Sequence, residues 1–94
     1  MKVNLKIFLP TLPEVIGRKE LQVEFAGETV SDLLEYLVTR YGRKAKQVLY
    51  NKDGDFDPMV QVLLNGREWV TNDKLDTALH DGDDIILMMM MAGG

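Results

Sequence analysis

Residues 88 to 94 read MMMMAGG, and the reactive group they offer is the carboxylate of Gly94. Glycine carries no Cβ and ranges widely in φ and ψ, so Gly93 and Gly94 can thread a channel too narrow for other residues. Extended, Met91 to Gly94 reach roughly 13 Å at about 3.3 Å per residue, which would carry the carboxylate into another protein's active site. With a reference pKa of about 3.5 the group is an anion at neutral pH and a poor electrophile. Transfer to AMP converts it to a mixed anhydride, and sulfur that then displaces the adenylate leaves a terminal thiocarboxylate. The chain has no Gly-rich phosphate cradle and no nucleophile elbow, so a separate activating enzyme is implied.

Other chemistry-bearing residues carry less. Asp53, Asp55 and Asp57 in DGDFD start like a calcium loop, but Pro58 stands where the sixth-position glycine belongs and Leu64 where a bidentate Glu belongs. His80 is the only histidine and cysteine is absent, which excludes a triad, a multi-histidine metal site and thiolate chemistry. Consecutive thioethers from Met88 to Met91 would point to alternate faces of a strand and do not converge on one soft metal ion. Half of them are expected to fill the core and half to form an adaptable apolar surface. No cofactor or metal is expected.

These groups need a scaffold, and its elements follow from hydrophobic periodicity. KVNLKIFL alternates, with Val3, Leu5, Ile7 and Leu9 on one face and Phe8 as the one apolar residue on the polar side. Pro10 and Pro13 close that strand, and ELQVEFA resumes the alternation with Leu21, Val23 and Phe25 inward, so a β-hairpin with a long loop is expected. Thr29 and Asp32 form a variant capping box ahead of Val30, Leu33, Leu34, Leu37 and Tyr41 at helical spacing, with Gly42 as the stop. A short second helix is expected around Ala45, Val48 and Leu49, then a loop to Pro58. VQVLL, Asn65-Gly66 and REWV signal a hairpin with a tight two-residue turn and a return strand carrying Trp69. One turn over Leu75 to Leu79 and another at HDGDD lead to a last strand, IILMMMM. About five strands and one main helix predict an α+β fold in which a mixed sheet packs on that helix and the final strand pairs beside the first, a β-grasp arrangement. The domain is expected over 1–90, with a flexible tail over 91–94.

The composition agrees with one small globular domain: 94 residues, 46% hydrophobic and 28% charged. Net charge is −4, and Lys and Arg read as spread along the chain, which disfavours a nucleic-acid surface and favours a basic protein partner. No stretch reaches membrane-span length and the N-terminus does not read as a signal peptide, so a cytoplasmic protein is expected.

TVSDLLEYLVTRYG, VLLNGRE, LDTALHDGDDI and the AGG ending together resemble the MoaD/ThiS sulfur carriers of the ubiquitin-like β-grasp superfamily, over nearly the whole chain. The longer middle segment with DGDFDP resembles the archaeal-type molybdopterin synthase small subunits, some of which double as protein modifiers. The resemblance implies that Gly94, preceded by Gly93, is adenylated by an E1-like enzyme, receives sulfur from a donor, and is inserted into the large molybdopterin synthase subunit to build the molybdenum or tungsten cofactor. The protein would then be a sulfur-donating subunit and not an enzyme by itself. Met89, Met91 and Ala92 are expected to form the docking strand and threaded tail. The family commonly has a Phe-Pro-Pro-Val-type run before Ala-Gly-Gly, where this chain has Met88 to Met91. Ala92 stands where ubiquitin and many modifiers carry Arg, which leans toward sulfur transfer over conjugation. The alternatives are a protein modifier, a carrier for thiamin or tRNA thiolation, or a non-covalent interaction module.

Overall fold

The alternation of Val3, Leu5 and Ile7 builds β1 (Lys2–Phe8), which pairs antiparallel with β2 (Glu20–Glu24) so that Val3 faces Val23 and Leu5 faces Leu21. The computed structural model describes residues 1–89. Between these strands lies more than the expected loop: Leu12–Ile16 form a short helix, α1, with Pro13 in its first turn and Leu12 buried. Proline is tolerated there because the first N–H groups of a helix have no intrahelical acceptor. Gly17, at φ 92°, ends α1 by donating its N–H to the Pro13 carbonyl at 2.7 Å.

The main helix, α2 (Val30–Tyr41), starts where expected. Thr29 Oγ1 accepts from the Asp32 N–H at 3.2 Å, while Asp32 Oδ2 accepts from the N–H groups of Thr29 at 3.1 Å and Glu28 at 2.8 Å. Those donors, Glu28 first, hold the Asp32 carboxyl below the usual carboxylate range. A Cβ on Gly27 would lie 2.5 Å from Asp32 Cβ, so the chain can enter the cap only without a side chain there. Val30, Leu33, Leu34 and Leu37 are buried on one face, and Tyr41 is half-buried. Gly42 closes α2 by donating to the Val38 carbonyl, and a second short helix, α3 (Arg43–Leu49), follows at once with Ala45 and Leu49 buried.

After α3, Tyr50 bridges to Phe56 and their rings meet nearly edge-on, with centroids 6.0 Å apart. β3 (Val60–Leu64) and β4 (Glu68–Val70) form the second hairpin. Asn65 and Gly66 have φ of 53° and 70°, as their pairing demands, and the Arg67 N–H reaches the Leu64 carbonyl at 3.1 Å. The ladder, however, opens at Leu64 opposite Glu68, so Arg67 is an extra residue and the connection is three residues long. Asn65 is meanwhile drawn toward the next turn: its N–H donates to the Asp84 carbonyl at 2.7 Å and its Oδ1 accepts from the Asp84 N–H at 2.8 Å.

The last strand, β5 (Asp84–Met89), enters the middle of the sheet, parallel to β1 and antiparallel to β3, and the strand order is β2-β1-β5-β3-β4. Helices cover one face of this mixed five-stranded sheet, the ubiquitin-like β-grasp. The Leu75–Leu79 turn ties to the start of α2 through bonds from the N–H groups of Ser31 and Val30 to the Leu75 and Thr77 carbonyls. No helix among the described residues is long and apolar enough to cross a membrane.

Candidate functional site

β5 is the described element next in sequence to residues 90–94. Ile85 and Leu87 are buried in the core, and Met89 is half-buried against the same cluster. Ile86 and Met88 point to the opposite face, which no helix covers. There Met88 lies between Phe8 of β1 and Gln61 of β3, and Ile86 between Lys6 and Leu63; Trp69 of β4 stands next to Leu63. Phe8 is 57% exposed and Trp69 51% exposed. An antiparallel face left to solvent is ordinarily polar, yet five large apolar side chains run diagonally across this one toward the end of β5. Phe8 and Trp69 are exposed and Leu63, Ile86 and Met88 half-buried, which makes this face the candidate interaction surface.

The other half of the open face is polar and internally bonded. Gln22 Nε2 donates to Asn4 Oδ1 at 3.3 Å, and Asn4 Nδ2 donates to Asp84 Oδ1 at 3.0 Å. Lys6 and Glu20 pair at 3.3 Å across β1 and β2. The apolar half is therefore bounded on one side by side chains that already satisfy one another.

Of the residues singled out from sequence, Met89 lies on the core side of β5, and Met91, Ala92, Gly93 and Gly94 lie outside the described residues. Sequence reasoning noted Phe8 and Trp69 separately but did not join them to Ile86, Leu63 and Met88. The signal was present in the parity of β5, where Ile86 and Met88 break the polar alternation; strand register was needed to bring the five together. Among the described residues, no group of three or more His, Asp or Glu is placed to hold a metal ion. In the acidic loop, Asn51 Oδ1 accepts from the N–H groups of Asp53 and Asp55, each at 3.0 Å, so a side-chain amide organises the turn. His80 is a turn residue whose N–H donates to Asp83 Oδ2 at 2.8 Å.

The perturbed titrations also lie away from the open face. Burial, and then the charge of Glu35, push the Tyr50 phenol up, while the Thr71 hydroxyl bonded to Asp73 holds that carboxyl down. These shifts belong to the cap and loops and supply no acid–base pair beside β5.

A ThiS family profile matches residues 7–94. The chain belongs to the ThiS family. Its members are ubiquitin-like proteins that carry sulfur or modify proteins. Small archaeal modifier protein 3 of Haloferax volcanii is 38% identical over 95 residues, covering 100% of both chains. The crystal structure of SAMP1 from Haloferax volcanii superposes with a TM-score of 0.77 at 30% identity, again over 100% of both chains. A Pyrococcus furiosus structure provisionally assigned as subunit 1 of a molybdopterin converting factor gives 0.72 at 28% identity, covering 97% of this chain and 99% of that one. Within this ThiS-family fold, β5 occupies the central position between β1 and β3, and the apolar residues of the open face include its Ile86 and Met88.

Proposed function

We propose that this protein is a sulfur carrier, acting as the small subunit of a molybdopterin synthase, with Gly94 as its reacting residue. The Gly94 carboxylate attacks the α-phosphorus of ATP on an E1-like enzyme and pyrophosphate leaves. Hydrosulfide released by the donor then displaces AMP and loses its proton, and the resulting thiocarboxylate delivers its sulfur within the large synthase subunit, where water cleaves the acyl C–S bond and restores the Gly94 carboxylate. The observation that carries this reading is the apolar diagonal of Phe8, Met88, Ile86, Leu63 and Trp69, which gives an activating or acceptor enzyme a surface to grip just before residues 90–94. The likeness to the Pyrococcus furiosus protein supports the choice of acceptor. Met91, Ala92 and Gly93 are assigned to the threaded tail.

The test is intact mass after incubation with the E1-like enzyme, ATP and a sulfur donor. Exchange of one oxygen for sulfur, lost on deletion of Gly94 while the fold persists, is the expected result; a truncated protein that still transfers sulfur would overturn it. The full-length similarity to small archaeal modifier protein 3 favours a second reading, in which a lysine amine displaces AMP and an isopeptide bond forms. A ladder of conjugates in cells, absent without Gly94, distinguishes that outcome.

A further inference from the structure

The cations of this chain are concentrated where tertiary structure makes them a surface, which corrects the expectation that they are spread. Arg40, Arg43, Lys44, Lys46 and Lys52 are five of the eleven basic residues, and no acid occurs between Tyr36 and Lys52. The remaining six cations share the rest of the chain with all fifteen acids. All five side chains are exposed, and none joins an ion pair among the described residues. Ala45 and Leu49 anchor α3 against the core, so Arg43, Lys46, Gln47 and Tyr50, spaced i, i+3, i+4, i+7, form its outer ridge. That ridge borders a shallow depression of about 390 Å³ lined by Arg43, Lys46, Gln47, Tyr50, Asn51 and Lys52, with no carboxylate among its walls. The nearby acids Glu35 and Asp55 line an adjoining depression, on the far side of Tyr50, Asn51 and Gly54, which border both. Arg40, in the last turn of α2, has its guanidinium 5.4 Å from the Tyr41 ring centre.

We propose that the α3 ridge is a second docking surface, on the helical side of the molecule, that takes an acidic extended segment of a partner protein. Charge complementarity selects the occupant, and size selects its class. Seven residues of α3 span roughly 10 Å at about 1.5 Å per residue, matched by about three residues of extended chain. A nucleic acid would run past this short ridge onto a surface whose charge is strongly negative, where its phosphates are repelled. The surface does not depend on Gly94 chemistry and lies across the fold from the apolar face, so an enzyme and an acidic partner can be held at once.

The experiment is an amide chemical-shift titration of the full chain with hexa-aspartate, hexa-serine and hexa-uridylate. Hexa-aspartate should move the amides of residues 43–54 selectively, and raising salt from 0.05 M to about 0.5 M should weaken it by tenfold or more. Lys44→Glu with Lys46→Glu, both on exposed positions, should abolish those shifts while leaving the rest of the spectrum in place. The proposal is overturned if hexa-aspartate acts no differently from hexa-serine, if its shifts spread equally to Lys2 and Lys6, if the double variant binds as well as wild type, or if hexa-uridylate binds the ridge more tightly. If the double variant loses its native spectrum, Lys46→Gln, which removes one charge and keeps the stem, serves instead, with the same shifts reduced as expected and unchanged shifts as the overturning result.

Discussion

β5 has two faces built from the same kind of residue with opposite fates. Ile85 and Leu87 point into the core and are buried, whereas Ile86 and Met88, one step along the same strand, point away and stay half-exposed. Both faces are apolar, so hydrophobicity does not distinguish them; what differs is whether this chain supplies the covering layer. The helical layer completes one face. The other has no covering layer among the described residues.

The largest effect that tests this contrast is expected from Leu87→Ala, which empties a fully buried position and should cost about 2 to 5 kcal/mol in denaturant unfolding. A loss as small as that of Met88→Ala would break the contrast. Next is the approach to the helix that makes the core face a core. Gly27→Ala must push Asp32 aside and should cost about 1 to 3 kcal/mol, read as a lower melting temperature. On the open face the stability effect should be far smaller: Phe8→Ser and Trp69→Ser are predicted to change unfolding free energy by no more than about 0.5 kcal/mol each. Activation by the E1-like enzyme should nevertheless fall in both, and unimpaired activation would remove the open face from the docking role.

The smallest effect is in pH. The Asp32 carboxyl is lowered in the folded state, so its stabilisation is fully present above the unfolded value of about 3.9 and disappears as pH falls through the lower folded value. Wild type and Asp32→Asn should therefore differ at neutral pH and converge in acid. Urea unfolding at stepped pH checks this, and parallel curves would count against the cap geometry.

Much of the scaffold was legible from local pattern. The alternation in KVNLKIFL and VQVLL reports half-buried strands because successive side chains face opposite ways, and the Thr29–Asp32 cap marks the first turn of α2 because that bonding is local. The β1–β2 connection was less legible: Pro10 and Pro13 read as breakers, yet one of them occupies a helix's first turn, where breaking does not apply. The two-residue turn at Asn65-Gly66 was half right. The φ angles follow from those two residues, while the extra Arg67 appears only once Asn65 bonds to Asp84 of β5, 19 residues away in sequence.

The sequence by itself determined the five strands and the main helix, the core faces of β1, β2 and β3 and the cap of α2, since all of these depend on residue type and short-range spacing. Only the tertiary structure decided that Phe8, Leu63, Trp69, Ile86 and Met88 form one surface; the cations of residues 40–52 already lie together in the sequence, and the fold decided only that Ala45 and Leu49 turn inward and leave those charges outside. The apolar surface unites residues through strand register, and those pairings depend on which distant segments bury one another's apolar faces.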